Sequence, residues 1–295
     1  MTPKPSLDVE EAVRERYSSG AACCEDSLCC PIDYDPKYLA VIPPEIIERD
    51  YGCGDPSKHV RPGETVLDLG SGSGKICYIA AQIVGARGRV IGVDMNDTML
   101  ALARKHQPEV AARLGFANVD FRKGRIQDLA LNLEKFETAV AARPALSAEE
   151  TAALVRDLRE NSPLVPSASI DVVVSNCVLN LVDPAAKKQL FAEIFRVLKK
   201  GGRAVISDIV SDADIPEEMQ RDPRLWSGCI SGSFREDLFL QAFHEAGFAP
   251  VGILQRDLKP WQTHAGIEFR SITVEAVKPG RGPDGDPCCS TAGCC

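Results

Sequence analysis

Cys53, Cys177 and Cys229 each stand alone among small or polar residues, in Asp50-Tyr51-Gly52-Cys53-Gly54, Ser175-Asn176-Cys177-Val178-Leu179-Asn180 and Leu225-Trp226-Ser227-Gly228-Cys229-Ile230-Ser231-Gly232. Three thiols brought together from three loops would form a soft-ligand site suited to a thiophilic centre such as As(III), Cu(I) or Hg(II). Taken singly, each could also be a small core residue. Loops of this composition are expected at the surface, however, where packing explains a cysteine poorly. Cys77 differs: it falls in an apolar helical stretch and reads as a buried structural residue. The other eight of the twelve cysteines form vicinal pairs spaced Cys-Cys-x4-Cys-Cys, at Cys23, Cys24, Cys29 and Cys30 and again at Cys288, Cys289, Cys294 and Cys295. In a reducing compartment such residues are expected to bind metals, catalyse or pack rather than form lasting disulfides.

A second constellation begins at Val66-Leu67-Asp68-Leu69, a short apolar run entering Gly70-Ser71-Gly72-Ser73-Gly74, after which Lys75 to Val84 carries apolar residues at helical spacing. Strand, glycine turn and helix N-terminus together suit a nucleoside cofactor, because the glycines admit close approach and the helix start offers free N–H groups. A dinucleotide fingerprint would require glycine where Lys75 stands.

These residues need a scaffold, and the chain supplies alternating strands and helices. Arg89 to Asp94, Val119 to Lys123, Ile170 to Ser175 and Arg203 to Asp208 read as further strands, with helices at Thr98 to Gln107 and Gln189 to Leu198, the last stopping at Gly201-Gly202. The pattern predicts an α/β, Rossmann-like, mostly parallel doubly wound sheet, with ligands beyond the carboxyl ends of the strands. Residues 1–44 read as a cysteine-containing, mobile N-terminal arm and 45–211 as the cofactor-binding core. An insertion at 131–169 holds one helix, near Ala148 to Glu160. Residues 212–278 form a small α+β region, with a helix at Arg235 to Ala246 and strands at Val251 to Asp257 and Phe269 to Val277, which either completes the sheet or caps it. Residues 279–295 read as a disordered cysteine-rich tail.

Composition narrows the function. Of 295 residues, 44% are hydrophobic and 26% charged, and 42 acidic residues outnumber 34 basic ones to give a formal charge of −8. Neither nucleic acid nor an anionic membrane is an expected partner. The longest apolar stretch, Ile170 to Val182, is interrupted by polar residues and falls short of the roughly 20 needed to span a bilayer. Asp8, Glu10, Glu11 and Glu15 fall in the first 15 positions, where a signal peptide would have its apolar run, so a cytoplasmic location is expected; a monomer is expected as well.

The Asp68-x-Gly70-x-Gly72-x-Gly74 loop resembles motif I of class I S-adenosylmethionine-dependent methyltransferases. That resemblance implies that the methionine portion lies against Gly70, Ser71, Gly72 and Gly74, that Asp94 binds the ribose, and that Gly124 to Asp128, Ile126 and Gln127 included, hold the adenine. It adds Met95 and Asn176 to the cofactor set. The three cysteine segments, with Lys259-Pro260-Trp261-Gln262-Thr263 and Gly266-Ile267-Glu268-Phe269-Arg270-Ser271, are similar to those of arsenite methyltransferases, over roughly Tyr51 to Val277. The likeness implies arsenite and methylated arsenicals as substrates and As(III) ligation by Cys53, Cys177 and Cys229. It further implies a redox cysteine at Cys24, with Cys23 an equal claimant, a Cys24–Cys53 disulfide in the reaction, and reduction by thioredoxin, glutaredoxin or glutathione. The other readings of the chain are a methyltransferase for a small organic acceptor such as a quinone or phenol, and a thiolate metal-binding protein.

Overall fold

A computed structural model describes residues 9–22, 32–49 and 51–280. One sheet organises the fold, built from β1 (Thr65–Leu69), β2 (Arg89–Asp94), β3 (Val119–Lys123), β4 (Ile170–Asn176), β5 (Leu198–Ser211), β6 (Phe234–Arg235), β7 (Val251–Arg256), β8 (Gln262–His264) and β9 (Ile267–Val277). Its order is β3-β2-β1-β4-β5-β9-β7, with β6 beside β5 and β8 beside β9. The first five strands are parallel, while β9 runs antiparallel to β5 and β7 antiparallel to β9. The C-terminal strands therefore complete the sheet. Val66, Leu67, Leu69, Val172, Val173, Val174, Val205 and Ile206 are all fully buried, as a sheet covered on both faces requires.

The helices are α1 (Val9–Ala22), α2 (Pro36–Leu39), α3 (Pro44–Glu48), α4 (Lys75–Val84), α5 (Asp97–Leu114), α6 (Leu133–Ala142), α7 (Ala148–Asn161), α8 (Pro184–Val197), α9 (Glu217–Gln220), α10 (Pro223–Ser227) and α11 (Glu236–Glu245). Several depart from the sequence expectations. The helix expected at Thr98 to Gln107 runs through Pro108 to Leu114, because its buried face resumes at Val110 and the left-handed cap is Gly115. α8 starts at Pro184, where the Asp183 side chain accepts the Ala185 N–H, and ends before Leu198, which already pairs with Ile170. Gly201 lies instead within the irregular start of β5. The insertion holds two helices, and α6 buries no residue, so its apolar signal is short. Part of the expected mobile arm is α1, whose attachments are largely polar.

Three apolar clusters follow from this layout. Two lie on the faces of the sheet, one including Phe191, Phe239 and Phe243 and the other including Tyr78, Ile79 and Val90. The third gathers Cys53, Ile209, Cys229, Ile230, Ile267 and Phe269, with Cys177, Leu181 and Trp261 packed against it. The two terminal cysteine groups, Cys24 included, and nearly all of the expected tail lie outside the described residues.

Candidate active site

A cavity of about 410 Å³ opens where β1 meets its neighbours, at the carboxyl ends of β1, β2 and β4. This is the point at which the strand order reverses, the usual ligand position in such sheets. The volume falls within the roughly 300–1,000 Å³ of small-molecule sites. Gly70, Gly72 and Ser73 line one side, Asp94, Met95, Asn96 and Met99 the next, and Gly124, Ile126 and Gln127 the far end. At Gly70, φ is +68° and an added Cβ would lie 2.4 Å from Val178 Cγ1, so both conformation and space demand glycine.

Asp94 fastens this wall together. One carboxylate oxygen accepts the Gly72 N–H at 2.8 Å and the other accepts the Asn96 N–H at 2.8 Å. Burial pushes its pKa up, and the backbone donors of Asn96, Gly72 and Met95 oppose that shift. Three of the residues expected at the cofactor stand behind the wall. Asp68 is 2% exposed and accepts the Cys77 thiol at 3.2 Å, Ser71 is buried with no partner for its hydroxyl among the described residues, and Gly74 caps α4. They shape the turn from beneath.

The thiols meet at the other end of the cavity. Cys177 lines it, beside Asn176, Val178 and Leu181. The Sγ atoms of Cys53 and Cys177 and a carboxylate oxygen of Asp208 all lie within 4.8 Å of one another. Cys229 packs in the same cluster, and its thiol donates to the Cys177 carbonyl at 3.2 Å. Contrary to the expectation of exposed loops, Cys53 and Cys229 are only 5% and 4% exposed. Burial raises the pKa of Cys53, and burial followed by contact with its thiol neighbours raises that of Cys177 further. For Cys53 and Cys177, burial therefore favours the protonated, neutral thiol before a ligand arrives.

Side chains on neighbouring strands hold these loops. Asn176 Oδ1 accepts the N–H groups of Cys53 and Gly54 at 2.9 and 3.0 Å, and its Nδ2 donates to the Gly54 carbonyl at 2.8 Å. An added Cβ at Gly52 would fall 2.3 Å from that Nδ2. Asp208 accepts the N–H groups of Leu179 and Ile209 and the Asn180 amide at 2.8–2.9 Å, plus the Asn180 N–H at 3.3 Å. Burial pushes Asp208 up to about 7, opposed by these donors and by the Lys187 ammonium. Cys177 and Cys229 both adopt φ +62°, a left-handed conformation costing a non-glycine residue about 1–3 kcal/mol and tolerated only where surroundings impose it.

Helix α1 roofs the cavity with Glu10, Val13, Arg14 and Tyr17. Tyr17 lines the cavity with Cys177 and packs edge-on against Tyr51 at 6.0 Å between ring centroids; burial, and then the neighbouring Cys229 and Cys177, push its pKa up. Sequence reasoning missed Tyr17, Asp208 and Asn96. The available sign for the first was Val9, Val13 and Tyr17 at four-residue spacing, while Asp208 stood only as the end of a strand.

A methyltransferase-domain family profile matches residues 61–160 and 146–247. An arsenite methyltransferase of Halobacterium salinarum is 34% identical over an alignment of 305 positions, spanning 93% of this chain and 68% of the relative. One from Aquipseudomonas alcaligenes is 35% identical over 84% of this chain and 64% of its own length. Among solved structures, an arsenic(III) S-adenosylmethionine methyltransferase from Chlamydomonas reinhardtii superposes with a TM-score of 0.66 at 29% identity, covering 85% of this chain and 75% of that one.

Proposed function

This chain belongs to the arsenite methyltransferase family, and we propose that it transfers the methyl group of S-adenosylmethionine to trivalent arsenic held by Cys53, Cys177 and Cys229. The observation carrying this reading is Cys177, which lines the cofactor cavity, has its Sγ within 4.8 Å of that of Cys53, and receives the Cys229 thiol on its carbonyl at 3.2 Å. S-adenosylmethionine, when bound, supplies a methyl on a cationic sulfur, open to in-line attack by the arsenic lone pair.

The residues present fit that cofactor. Gly70, Gly72 and Ser73 would carry the methionine portion, Asp94 the ribose hydroxyls, and Gly124, Ile126 and Gln127 the adenine, with Met95 and Asn176 also in the wall. Arsenite enters as neutral As(OH)3, and each buried thiol gives its proton to a departing hydroxide, so that three As–S bonds form, three waters leave, and no net charge is buried. That exchange suits Cys53 and Cys177, whose burial disfavours free thiolate. The chain's contribution to rate is then positional: it holds arsenic beside the cofactor cavity and excludes water with α1. No general base is required, and no histidine lines the cavity among the described residues. A quinone or phenol acceptor is thereby disfavoured.

Methyl transfer leaves arsenic oxidised, and two cysteine thiolates returning it to the trivalent state would end as a disulfide. We assign re-reduction to a thiol donor, thioredoxin, glutaredoxin or glutathione, and the enzyme to the cytoplasm as a monomer. No helix among the described residues is long and apolar enough to cross a membrane. Cys24 remains the proposed partner of Cys53.

The direct test is incubation with arsenite, a thiol donor and methyl-labelled S-adenosylmethionine. Label should appear in methylated arsenic; its absence there, with cofactor bound, overturns the reading. Two variants resolve the site. Asp94→Ala should weaken S-adenosylmethionine binding in calorimetry by about 10- to 100-fold, the loss expected from hydrogen bonds to a charged group worth roughly 1.5–3 kcal/mol, while arsenite binding without cofactor stays near normal. Unchanged cofactor affinity would refute the ribose assignment. Cys53→Ser should block methylation of arsenite yet spare monomethyl arsenite, which needs only the thiolates of Cys177 and Cys229. Equal loss of both steps would count against this division.

A further inference from the structure

S-adenosylmethionine carries an α-carboxylate, and a cavity that shelters it from water must answer that charge with donors. The glycine loop has few to give. The Gly70 and Ser71 N–H groups both go to the Val93 carbonyl, at 2.8 and 3.0 Å, the Gly72 N–H goes to Asp94, and the Gly74 N–H goes to the Ser71 carbonyl at 2.8 Å. The Ser73 hydroxyl donates to the Ile46 carbonyl at 3.3 Å. What the loop offers the methionine portion is therefore chiefly shape.

A cation has to come from elsewhere, and among the described residues that line the cavity Arg14 and Arg49 are the two that carry one. Lys75, beside the loop, does not line it, and its ammonium lies 4.4 Å from the centroid of the Tyr34 ring. Arg14 belongs to the other end. Its carbonyl accepts from Asn96 at 3.2 Å, it follows Glu10, which meets Arg125 beside the adenine wall, and its side chain pairs with Glu11 at 3.7 Å and is 60% exposed. Arg49 stands at the methionine end. It caps α3, whose fully buried Ile46 is bonded by Ser73 of the glycine loop, and it precedes Tyr51, which lines the same cavity, and Gly52, which lies against Asn176.

One nitrogen of the Arg49 guanidinium donates to Glu45 at 2.9 Å, which fixes the side chain. Glu45 does not consume that charge, because the same carboxylate receives the Lys105 ammonium at 2.6 Å and meets His106 Nε2 at 2.7 Å. A guanidinium carries five donors in a planar fork, so Glu45 and a second carboxylate can share it.

We propose that Arg49 receives the α-carboxylate of S-adenosylmethionine and so makes the site select the intact amino-acid end of the cofactor. The inference rests on the functional reading above, and its test separates the two. Binding of S-adenosylmethionine and of decarboxylated S-adenosylmethionine, which differ in that carboxylate alone, is measured by calorimetry on the full chain without arsenite. The wild type should prefer the intact cofactor by about 10- to 100-fold, the range expected for hydrogen bonds to a charged group, and Arg49→Gln should cut the preference to under about threefold. Both ligands are measured on one variant, so a loss of folded protein cannot alter the ratio. Arg49→Lys, which keeps the charge and loses the fork, should recover part of the preference. Arg14→Gln removes an equal charge from the same cavity and should leave the ratio as in the wild type.

If Arg49→Gln keeps the wild-type ratio, or the wild type shows no preference, the proposal falls and the functional reading stands. An equal collapse in Arg14→Gln would assign the preference to the net charge of the cavity and overturn the contact at Arg49. A wild type that binds neither compound would overturn the functional reading and this proposal with it.

Discussion

Replacing Cys177 by serine should abolish methylation of both arsenite and monomethyl arsenite, lowering turnover by at least about three orders of magnitude. Cys177 is the thiol whose Sγ lies within 4.8 Å of that of Cys53, whose carbonyl accepts the Cys229 thiol, and which lines the cofactor cavity. Its loss removes a ligand from the three-thiolate site and from the two-thiolate site alike, and removes the contact between arsenic and cavity. Serine is nearly isosteric, so the fold should hold. Its hydroxyl is a hard, weakly acidic ligand that does not replace thiolate on a soft centre. Cofactor binding measured by calorimetry should stay within about twofold of the wild type, because the ribose and adenine contacts proposed at Asp94, Gly124, Ile126 and Gln127 lie on other loops. Turnover within tenfold of normal on either substrate would remove Cys177 from the reaction.

Much of the scaffold is legible because the relevant signals are local. The run Ile170 to Ser175 has the β-branched density of a strand buried on both faces, and the glycine turn announces both the end of β1 and the start of α4. The antiparallel return of β9 beside β5 is not legible in this way, since it depends on which strand edge remains open after five parallel strands have paired. Helix α1 escapes for another reason. It is attached chiefly through Arg16, Ser18, Gly20 and Asn96, and its one apolar row, Val9, Val13 and Tyr17, is too narrow to stand out among the polar residues around it.

The site divides similarly. Isolated cysteines among glycine and serine residues stand out by type and spacing, whereas their burial does not. Small polar residues ordinarily mark exposed loops because buried backbone N–H and C=O groups need partners. Here side chains from the sheet supply those partners: Asn176 serves the Cys53 loop and Asp208 the turn after Cys177. No local pattern announces such service, since Asn176 lies 123 residues from Cys53. Asp68 illustrates the converse. An acid before the glycine loop reads as a ligand contact, yet its side chain lies beneath the loop, bonded by Cys77.

Asp208→Ala should therefore be among the most damaging substitutions outside the thiols. Removing the carboxylate leaves the Leu179 and Ile209 N–H groups and the Asn180 amide short of an acceptor in a fully buried setting. With unsatisfied buried donors costing about 1–3 kcal/mol each and partial relaxation, a loss of about 3–4 kcal/mol is expected, or roughly 6–16 °C in melting midpoint for a domain of this size. The damage should also reach function. Leu179 and Asn180 immediately follow Cys177, whose φ of +62° is strained and persists only while its flanks are fixed. Freed from Asp208, the turn can relax toward negative φ and carry the thiol away from Cys53 and Cys229. Folded Asp208→Ala, assayed well below its melting midpoint, should thus bind cofactor normally and arsenite weakly. Asp208→Asn retains one acceptor oxygen but sets an amide N–H against the remaining donors, so it should fall between wild type and alanine in both measurements. Asn180→Ala, which deletes one of the donors rather than their common acceptor, should cost less stability than either. A melting midpoint for Asp208→Ala within about 2 °C of the wild type, with arsenite affinity intact, would show that the turn holds Cys177 without the carboxylate.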